Sequence, residues 1–392
     1  MGMTPTGTPD RAAHGPPADP LPSRVRARRE ELHVRPGDLA ARCGITRQAL
    51  HAIETDAYTP NTVVALRLAR ALACRVEDLF QLQDDPAPQV HARLLGPAQP
   101  AGTRVQLAQL GDDWLAQPLS GQSGWDQPAD GTLRSDASGD APASVQPFTD
   151  LRLAQRTAVL TGCDPSLGLA AMHAARHTPD VRVLWRNASS LQALRAVARG
   201  EAHAAGIHLW EATTGISNLG AVERELPGRR AHLYTLWEWE QGLIVPRGNP
   251  KRVTGPESLI HGQLRLVNRE DGAGSRLLLD AWLAGLGVTL AERARLPGYR
   301  DEAPSHLEAA GRVAAGVADA APGPRSAAQV LGLDFVPVQR ERFDLVVPDP
   351  YLTHPAIAAL IGVAQQQSFR AELSALGGYD PAHAGEHWQS TP

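Results

Sequence analysis

Lysine is almost missing from this chain: Lys251 is the only one among 38 basic residues. Cationic surface must come from arginine, and in so alanine-rich a sequence arginine is informative only where it clusters. Cysteine is scarce too. Cys43, Cys74 and Cys163 are widely spaced and form no CxxC, which leaves neither a disulfide framework nor a zinc-type ligand set. No apolar run of about eighteen residues occurs, so no membrane span is expected. Residues 1–22 lack the apolar core of a secretory signal, and their Pro, Gly and Thr content reads as a disordered lead-in. A cytoplasmic protein is therefore expected. A formal net charge of −4 excludes a polycation. At 392 residues the chain exceeds one ordinary core, so it should be multidomain.

Residues 23–83 carry apolar residues at helical spacing, in short bursts separated by turn signals. Val25 and Leu32 mark a first helix. Pro36 opens a second, whose stripe is Leu39, Ala40 and Cys43, and Gly44 ends it. Thr46 caps a third, with Ala49, Leu50 and Ile53 inside. A fourth carries Val63, Leu66, Leu68, Ala69 and Leu72, and a short fifth ends at Leu79-Phe80. Two short helices joined by a glycine-containing turn predict a helix-turn-helix, whose second helix offers its first residues to the major groove. Those residues are Thr46, Arg47 and Gln48, with His51 one turn on. Arginine can fork onto guanine and glutamine onto adenine. From Pro22 to Ala49 seven arginines, Arg35 among them, face three acids, an excess suited to phosphates. A helical bundle used for dimerisation is the alternative. The stretch DLAARCGITRQALHAIE, with the tail P-N-T…LARAL…V-E-D-L-F, resembles the Xre (Cro/C1)-type DNA-binding domain. That resemblance implies double-stranded operator DNA as partner, with Arg47, Gln48 and His51 reading bases and Thr46 capping and touching phosphate.

Residues 84–155 are rich in Pro, Gly, Asp and Ser. TRVQLAQLGDDWLAQPL suggests a β-hairpin about Gly-Asp-Asp, and the remainder reads as flexible linker. From Arg156 strands and helices alternate, as in an α/β fold with a mainly parallel sheet. Ligands in such sheets sit beyond the C-terminal strand ends. Three loops fit: GCDPS with Asp164 and Ser166, NASS with Ser189 and Ser190, and NREDGAGSR with Arg269, Gly272, Gly274, Ser275 and Arg276. GAGSR is neither a complete GxGxxG nor a P-loop, so a dinucleotide is not expected. Amides, hydroxyls and guanidinium suit a small oxyanion. Each serine can equally be a plain helix cap.

GCDPSLGL, WRNASSLQALRAVARGEAHAAGIHLW, LWEWEQGLIVPRGNP, NREDGAGSRLLLD, PGYRDEAPSHLEAAGRVAAGVADAA and LGLDFVPV follow in one order. Together they resemble the periplasmic-binding-protein-like domain fused to helix-turn-helix regulators, which is described as molybdate-binding-like. The resemblance spans 156–378 and implies a two-lobed type II α/β fold. Lobe one would take 156–237 and 345–378, lobe two 238–344, and 379–392 a disordered tail. It implies that NASS and GAGSR close on an anion, molybdate or tungstate favoured. GAGSR stands where relatives often carry GSGTR, one donor fewer, and ADAAPGP lacks the usual glycine-rich form.

Other residues weigh less. His208 and Trp210 could line the cleft, although a histidine satisfied by backbone is the plainer reading. His203 and His208 should point to opposite faces and make no metal pair. Glu238 and Glu240 share a strand face where structural hydrogen bonding is favoured over acid–base work, and His306 could cap a helix or touch ligand. No catalytic constellation, resident cofactor or metal set stands out, so a non-enzyme is expected. The whole reads as a ligand-responsive regulator acting as a homodimer. Its alternatives are an organic effector, a molybdenum-cofactor-related enzyme, or a constitutive DNA-binding scaffold.

Overall fold

Proline, glycine and side-chain caps divide the N-terminal segment into five helices. The computed structural model describes residues 23–80, 89–139, 141–209, 218–261 and 264–390. The expected lead-in at 1–22, Trp210 and the last two residues lie outside these. The chain divides into two units, 1–89 and 90–392.

The first unit holds α1 (Val25–Glu31), α2 (Pro36–Cys43), α3 (Arg47–Glu54), α4 (Thr62–Ala71) and α5 (Val76–Leu79). Pro36 occupies the first turn of α2, where its missing N–H is not needed, and Gly44 ends that helix at φ +68°. Thr46 Oγ1 accepts from Ala49 N to cap α3, and Asn61 Oδ1 accepts from Val64 N to cap α4. Val25, Leu39, Cys43, Leu50, Ile53, Leu68 and Leu72 form the core. Val63 and Leu66 are more than half exposed, because Ala65, Leu68, Ala69 and Leu72 keep the i, i+3, i+4, i+7 spacing that faces the core. Arg29, nearly buried, forks onto Glu54 from Nε at 2.6 Å and Nη2 at 3.1 Å.

The second unit begins with a closed five-stranded barrel: the hairpin expected about Gly-Asp-Asp forms as its second and third strands, but the described residues from 89 to 155 are not the flexible linker expected around it. β1 (Val90–Leu94), β2 (Arg104–Leu110), β3 (Asp113–Pro118), β4 (Gly131–Leu133) and β5 (Ala143–Pro147) close in the order β1-β3-β2-β4-β5, with α6 (Gly121–Asp126) and α7 (Arg152–Gln155) attached. One of the glycines that read as linker is required by the barrel. A Cβ on Gly131 would lie 2.4 Å from Gln146 O, so only glycine permits the β4–β5 approach. Asp130 accepts from Leu107 N inside the barrel and is bound by Arg182 of the sheet, which also donates to Leu107 O. His203 Nδ1 accepts from Val159 N, so its Nε2 donates to Gln109 O.

The α/β part runs β6 (Thr157–Gly162), α8 (Ser166–His177), β7 (Arg182–Asn187), α9 (Ser190–Ala198), β8 (Ala204–Ile207), α10 (Leu219–Glu225) and β9 (Ala231–Val245). It continues with α11 (Glu257–His261), β10 (Asn268–Arg269), α12 (Gly274–Gly285), α13 (Leu290–Arg293), β11 (Glu302–Ala303), α14 (His306–Ala314), β12 (Ala321–Pro324) and α15 (Arg325–Val330). The chain returns through β13 (Asp334–Pro348), α16 (Pro355–Val363) and α17 (Gln367–Ala375) to β14 (Tyr379–Asp380) and β15 (His387–Gln389). The sheet order is β12-β9-β13-β8-β6-β7, with β6, β7 and β8 parallel. β9 and β13, fifteen residues each, pair antiparallel along their length and carry the chain between two lobes. Their register shifts between Phe343 and Asp344, beside Trp237.

The tail expected to be disordered from 379 is instead part of this sheet. Gly377 and Gly378, both at φ +76°, turn the chain back so that β14 and β15 pair with β9. Tyr379 is buried against Trp237 and Trp239. No helix among the described residues is long and apolar enough to cross a membrane.

Replacing Glu54 with alanine strands the Arg29 guanidinium in a nearly buried site. Hydrogen exchange of α1–α3 amides should show a loss of about 3 kcal/mol, with the sheet of the second unit unaffected.

Candidate ligand cleft and DNA-contact helix

In the first unit the α2–α3 turn leaves Thr46, Arg47, Gln48 and His51 exposed on the start of α3, and Arg35 exposed just before α2. The Arg47 stem passes over Gly37, whose missing side chain would begin 3.8 Å from Arg47 Cδ. The three polar side chains after the cap thus stand free of the core, on a helix whose inner face is held by Leu50 and Ile53.

In the second unit polar residues collect where the two lobes meet. Lobe one supplies Cys163, Asp164 and Ser166 after β6, Ser189 and Ser190 at the start of α9, and His208 after β8. Lobe two supplies Arg269, Ser275 and His306, and the paired β9 and β13 supply Trp239, Gln241 and Glu341. All are buried. The His208 ring lies 4.8 Å from that of Trp239 and 6.1 Å from that of His306. The closure is tight, since a Cβ on Gly274, at the start of α12, would lie 2.3 Å from His208 O. Gly272, at φ +79°, turns the chain over Leu191.

Hydrogen bonding fixes which atoms face the cleft. Glu341 Oε2 lies 2.8 Å from His208 Nδ1. His306 Nδ1 accepts from Arg269 Nη1 at 2.8 Å, so its proton sits on Nε2. Ser275 Oγ donates to Gln241 Oε1 at 2.9 Å, which turns the Gln241 amide nitrogen outward. Ser189 Oγ, His208 Nε2, Trp239 Nε1, Gln241 Nε2 and His306 Nε2 are then buried with no hydrogen-bond partner among the described residues. All five can donate. A buried polar group left unpaired costs about 1–3 kcal/mol, so five together point to a guest that accepts. Asp164 Oδ2 is the acceptor among the unpartnered atoms here.

Charge agrees with that polarity. Arg269 is buried with its Nε and Nη2 donating to the carbonyls of Ala303 and Pro304, and burial lowers its pKa. Burial opposes charge on His208, but the Cys163 sulfur and the Glu341 carboxylate raise it to about 10. Burial, then the charges of Arg269 and His208, hold His306 well below its ordinary value, so it is a neutral donor. Burial raises Asp164 to about 6, against hydrogen bonds from Ser166 N and Tyr379 OH.

Not every expected residue takes part. Arg276 is committed elsewhere: it bonds Asp280 and Glu302 at 3.3 Å, donates to Arg269 O, and stacks over Tyr299. Ser190 Oγ ties α9 to the His208 backbone, and Ser166 Oγ donates to Tyr379. His208 departs from the expected backbone-satisfied histidine; His203 is the one that fits that description. Glu240 faces away from the cleft and is bound by Arg325, so it joins no acid–base pair. Trp239, Gln241, Glu341 and Tyr379 went unrecognised, although alternation in LWEWEQG sets Trp239 and Gln241 on one face. Cys163, His208 and His306 offer ligand atoms all within 4.8 Å of one another. Their sequence separation hides this cluster. The proton on His306 Nε2 and the adjacent Arg269 charge disfavour a simple cation there.

A helix-turn-helix head and a two-lobed α/β domain closed over a donor-lined cleft define a DNA-binding regulator with a ligand-binding domain of periplasmic-binding-protein type. The chain belongs to that family. Residues 25–79 match the helix-turn-helix family, and residues 171–365 the PBP superfamily domain. The uncharacterized protein YvgK of Bacillus subtilis (strain 168) is 33% identical over 231 residues, 58% of this chain and 72% of that protein. An uncharacterized HTH-type transcriptional regulator of Methanothermobacter thermautotrophicus is 42% identical over 64 residues, 16% of this chain and 93% of that protein. Among solved structures, the sulfate-binding protein SubI from Mycobacterium tuberculosis H37Rv aligns with a TM-score of 0.44 and 14% identity, covering 58% of this chain and 87% of its own.

Gly274→Ala places a methyl against His208 and should hold the lobes apart. Small-angle scattering should give a larger radius of gyration than the wild type, with an unchanged circular dichroism spectrum.

Proposed function

We propose that the cleft binds a small oxyanion, with molybdate or tungstate favoured, and that its occupancy controls operator binding by a cytoplasmic homodimer. The observation that carries this reading is the set of five buried unpartnered donors beside a buried guanidinium. A tetrahedral oxyanion presents acceptors in every direction and carries a charge to match Arg269, whose hydrogen bonds run to the carbonyls of Ala303 and Pro304 and to His306 and not to a carboxylate. Asp164 fits the same reading. An incoming anion favours its neutral form, and the protonated carboxyl then becomes a further donor. The likeness of GCDPSLGL, WRNASSLQ and NREDGAGSR to molybdate-binding-like domains supports a metal oxyanion in particular.

Arg47, Gln48 and His51 are the proposed base-reading residues, with Thr46 and Arg35 on phosphates. The dimer is supported by the two-fold logic of helix-turn-helix operators and by Tyr58, Val63 and Leu66, apolar and more than half exposed on the first unit. Coupling is reciprocal: an oxyanion that changes operator affinity has its own affinity changed equally by the operator. An organic anion is the second reading. It is favoured by a cavity of about 290 Å³ beside His306, walled by Pro165, Leu169, Leu307 and Val330.

Calorimetric titration should give molybdate or tungstate a Kd of about 1 μM or tighter, with sulfate and phosphate far weaker. Silence from all four on folded protein would exclude the oxyanion reading. Because Asp164 ionises near pH 6, affinity should fall as pH rises through that value, and Asp164→Asn should flatten the profile. Arg47→Ala should weaken operator binding by about 1–3 kcal/mol in a gel-shift titration and leave oxyanion affinity unchanged.

A further inference from the structure

The donor array accounts for the oxygens of an oxyanion but gives no part to Cys163, which belongs to the apolar core and also borders the cleft. Cys163 follows β6 and is 3% exposed. Its position is constrained by the backbone before it. A Cβ on Gly162 would meet Leu167 Cδ1 at 2.5 Å and Gly206 O at 2.8 Å, so β6 runs hard against β8 at that point. Cys163 Sγ lies within 4.8 Å of the ligand nitrogens of His208 and His306, one from each lobe, and both histidines have an unpartnered buried Nε2. An oxygen held by either imidazole sits about 2.8 Å from its nitrogen, so an anion bound by these rings lies against the sulfur. A structural thiol would be expected among apolar neighbours alone. This one also stands inside the polar cluster.

Resting on the oxyanion reading above, we infer that Cys163 is the specificity residue of the cleft, bonding through Sγ to the central metal of molybdate or tungstate. Hexavalent molybdenum and tungsten accept ligands beyond four and form bonds to sulfur, whereas the central atoms of sulfate and phosphate do not add a thiol in their ground states. The step is an addition. The Sγ–metal bond forms, the S–H bond breaks, and the proton passes to one oxo ligand, which becomes hydroxo. No ligand leaves, the charge of the complex stays that of the dianion, and the metal remains hexavalent. Ser189, Gln241, His208 and His306 hold the remaining oxygens by hydrogen bonds. Discrimination then does not rest on anion size. It rests on whether the central atom can take a soft ligand.

The test uses the full chain and two readouts. Difference absorption spectra on titration with molybdate should develop a sulfur-to-metal charge-transfer band, at higher energy with tungstate and absent with sulfate. Cys163→Ser should abolish the band, and the calorimetric preference for molybdate over sulfate should fall by at least about tenfold. Calorimetric binding of molybdate without a band, with equal affinity in Cys163→Ser, would overturn the inference and leave the oxyanion reading standing. Absence of any molybdate or tungstate binding would overturn both. Should Cys163→Ser fail to fold, the wild-type band and its shift between the two metals still decide.

Discussion

The pairing of β9 with β13 is the constraint on which the rest of the second unit depends. Each strand has fifteen residues, and each belongs to one lobe at one end and to the other lobe at the opposite end. Their register sets Glu341 opposite Trp239 and Gln339 opposite Gln241. The floor of the cleft is thus made by the crossovers themselves, not by either lobe. The register shift between Phe343 and Asp344 lies next to that floor, and Trp237, Trp239 and Phe343 pack there. Any movement of the lobes must bend this ribbon, and so must alter the cleft.

Electrostatics decides what the cleft can hold. Hydrogen bonds inside the protein occupy one side of each key group and leave the other open. Glu341 takes one nitrogen of His208, Arg269 one nitrogen of His306, and Ser275 the oxygen of Gln241. In every case the atom left over is a donor. The same logic separates the anion reading from a plain cation site at Cys163, His208 and His306. A cation would need His306 Nε2 without its proton, beside a guanidinium that repels it. A metal that arrives already wrapped in oxygens needs neither change.

Much of the architecture was legible because its signals are local. Pro36, Gly44 and Thr46 announce helix boundaries within a few residues of where they act, and the alternation of strands and helices after Arg156 needs no long-range information. Loops after strands drew attention to Ser189, Arg269 and Ser275, and the structure buries all three where the lobes meet. The misses were non-local. Glycines and prolines at 84–155 resemble linker until the strands close into a barrel, because Gly131 is required by a carbonyl fifteen residues away. The C-terminal tail has little propensity of its own and is ordered by an edge that β9 provides. Arg276 looked like a ligand residue by its neighbours in sequence, but Asp280 and Glu302 reach it first. Glu341 and Cys163 belong to the site only through pairings that no spacing reveals.

The oxyanion reading stands or falls on where the ion sits. The most direct measurement is the anomalous scattering of tungsten in crystals of the full chain grown with tungstate. One dominant site per chain is expected, between Ser189 and His208 of one lobe and His306 of the other. A chain saturated with tungstate whose only tungsten lies elsewhere, with the cleft closed and empty, would contradict it.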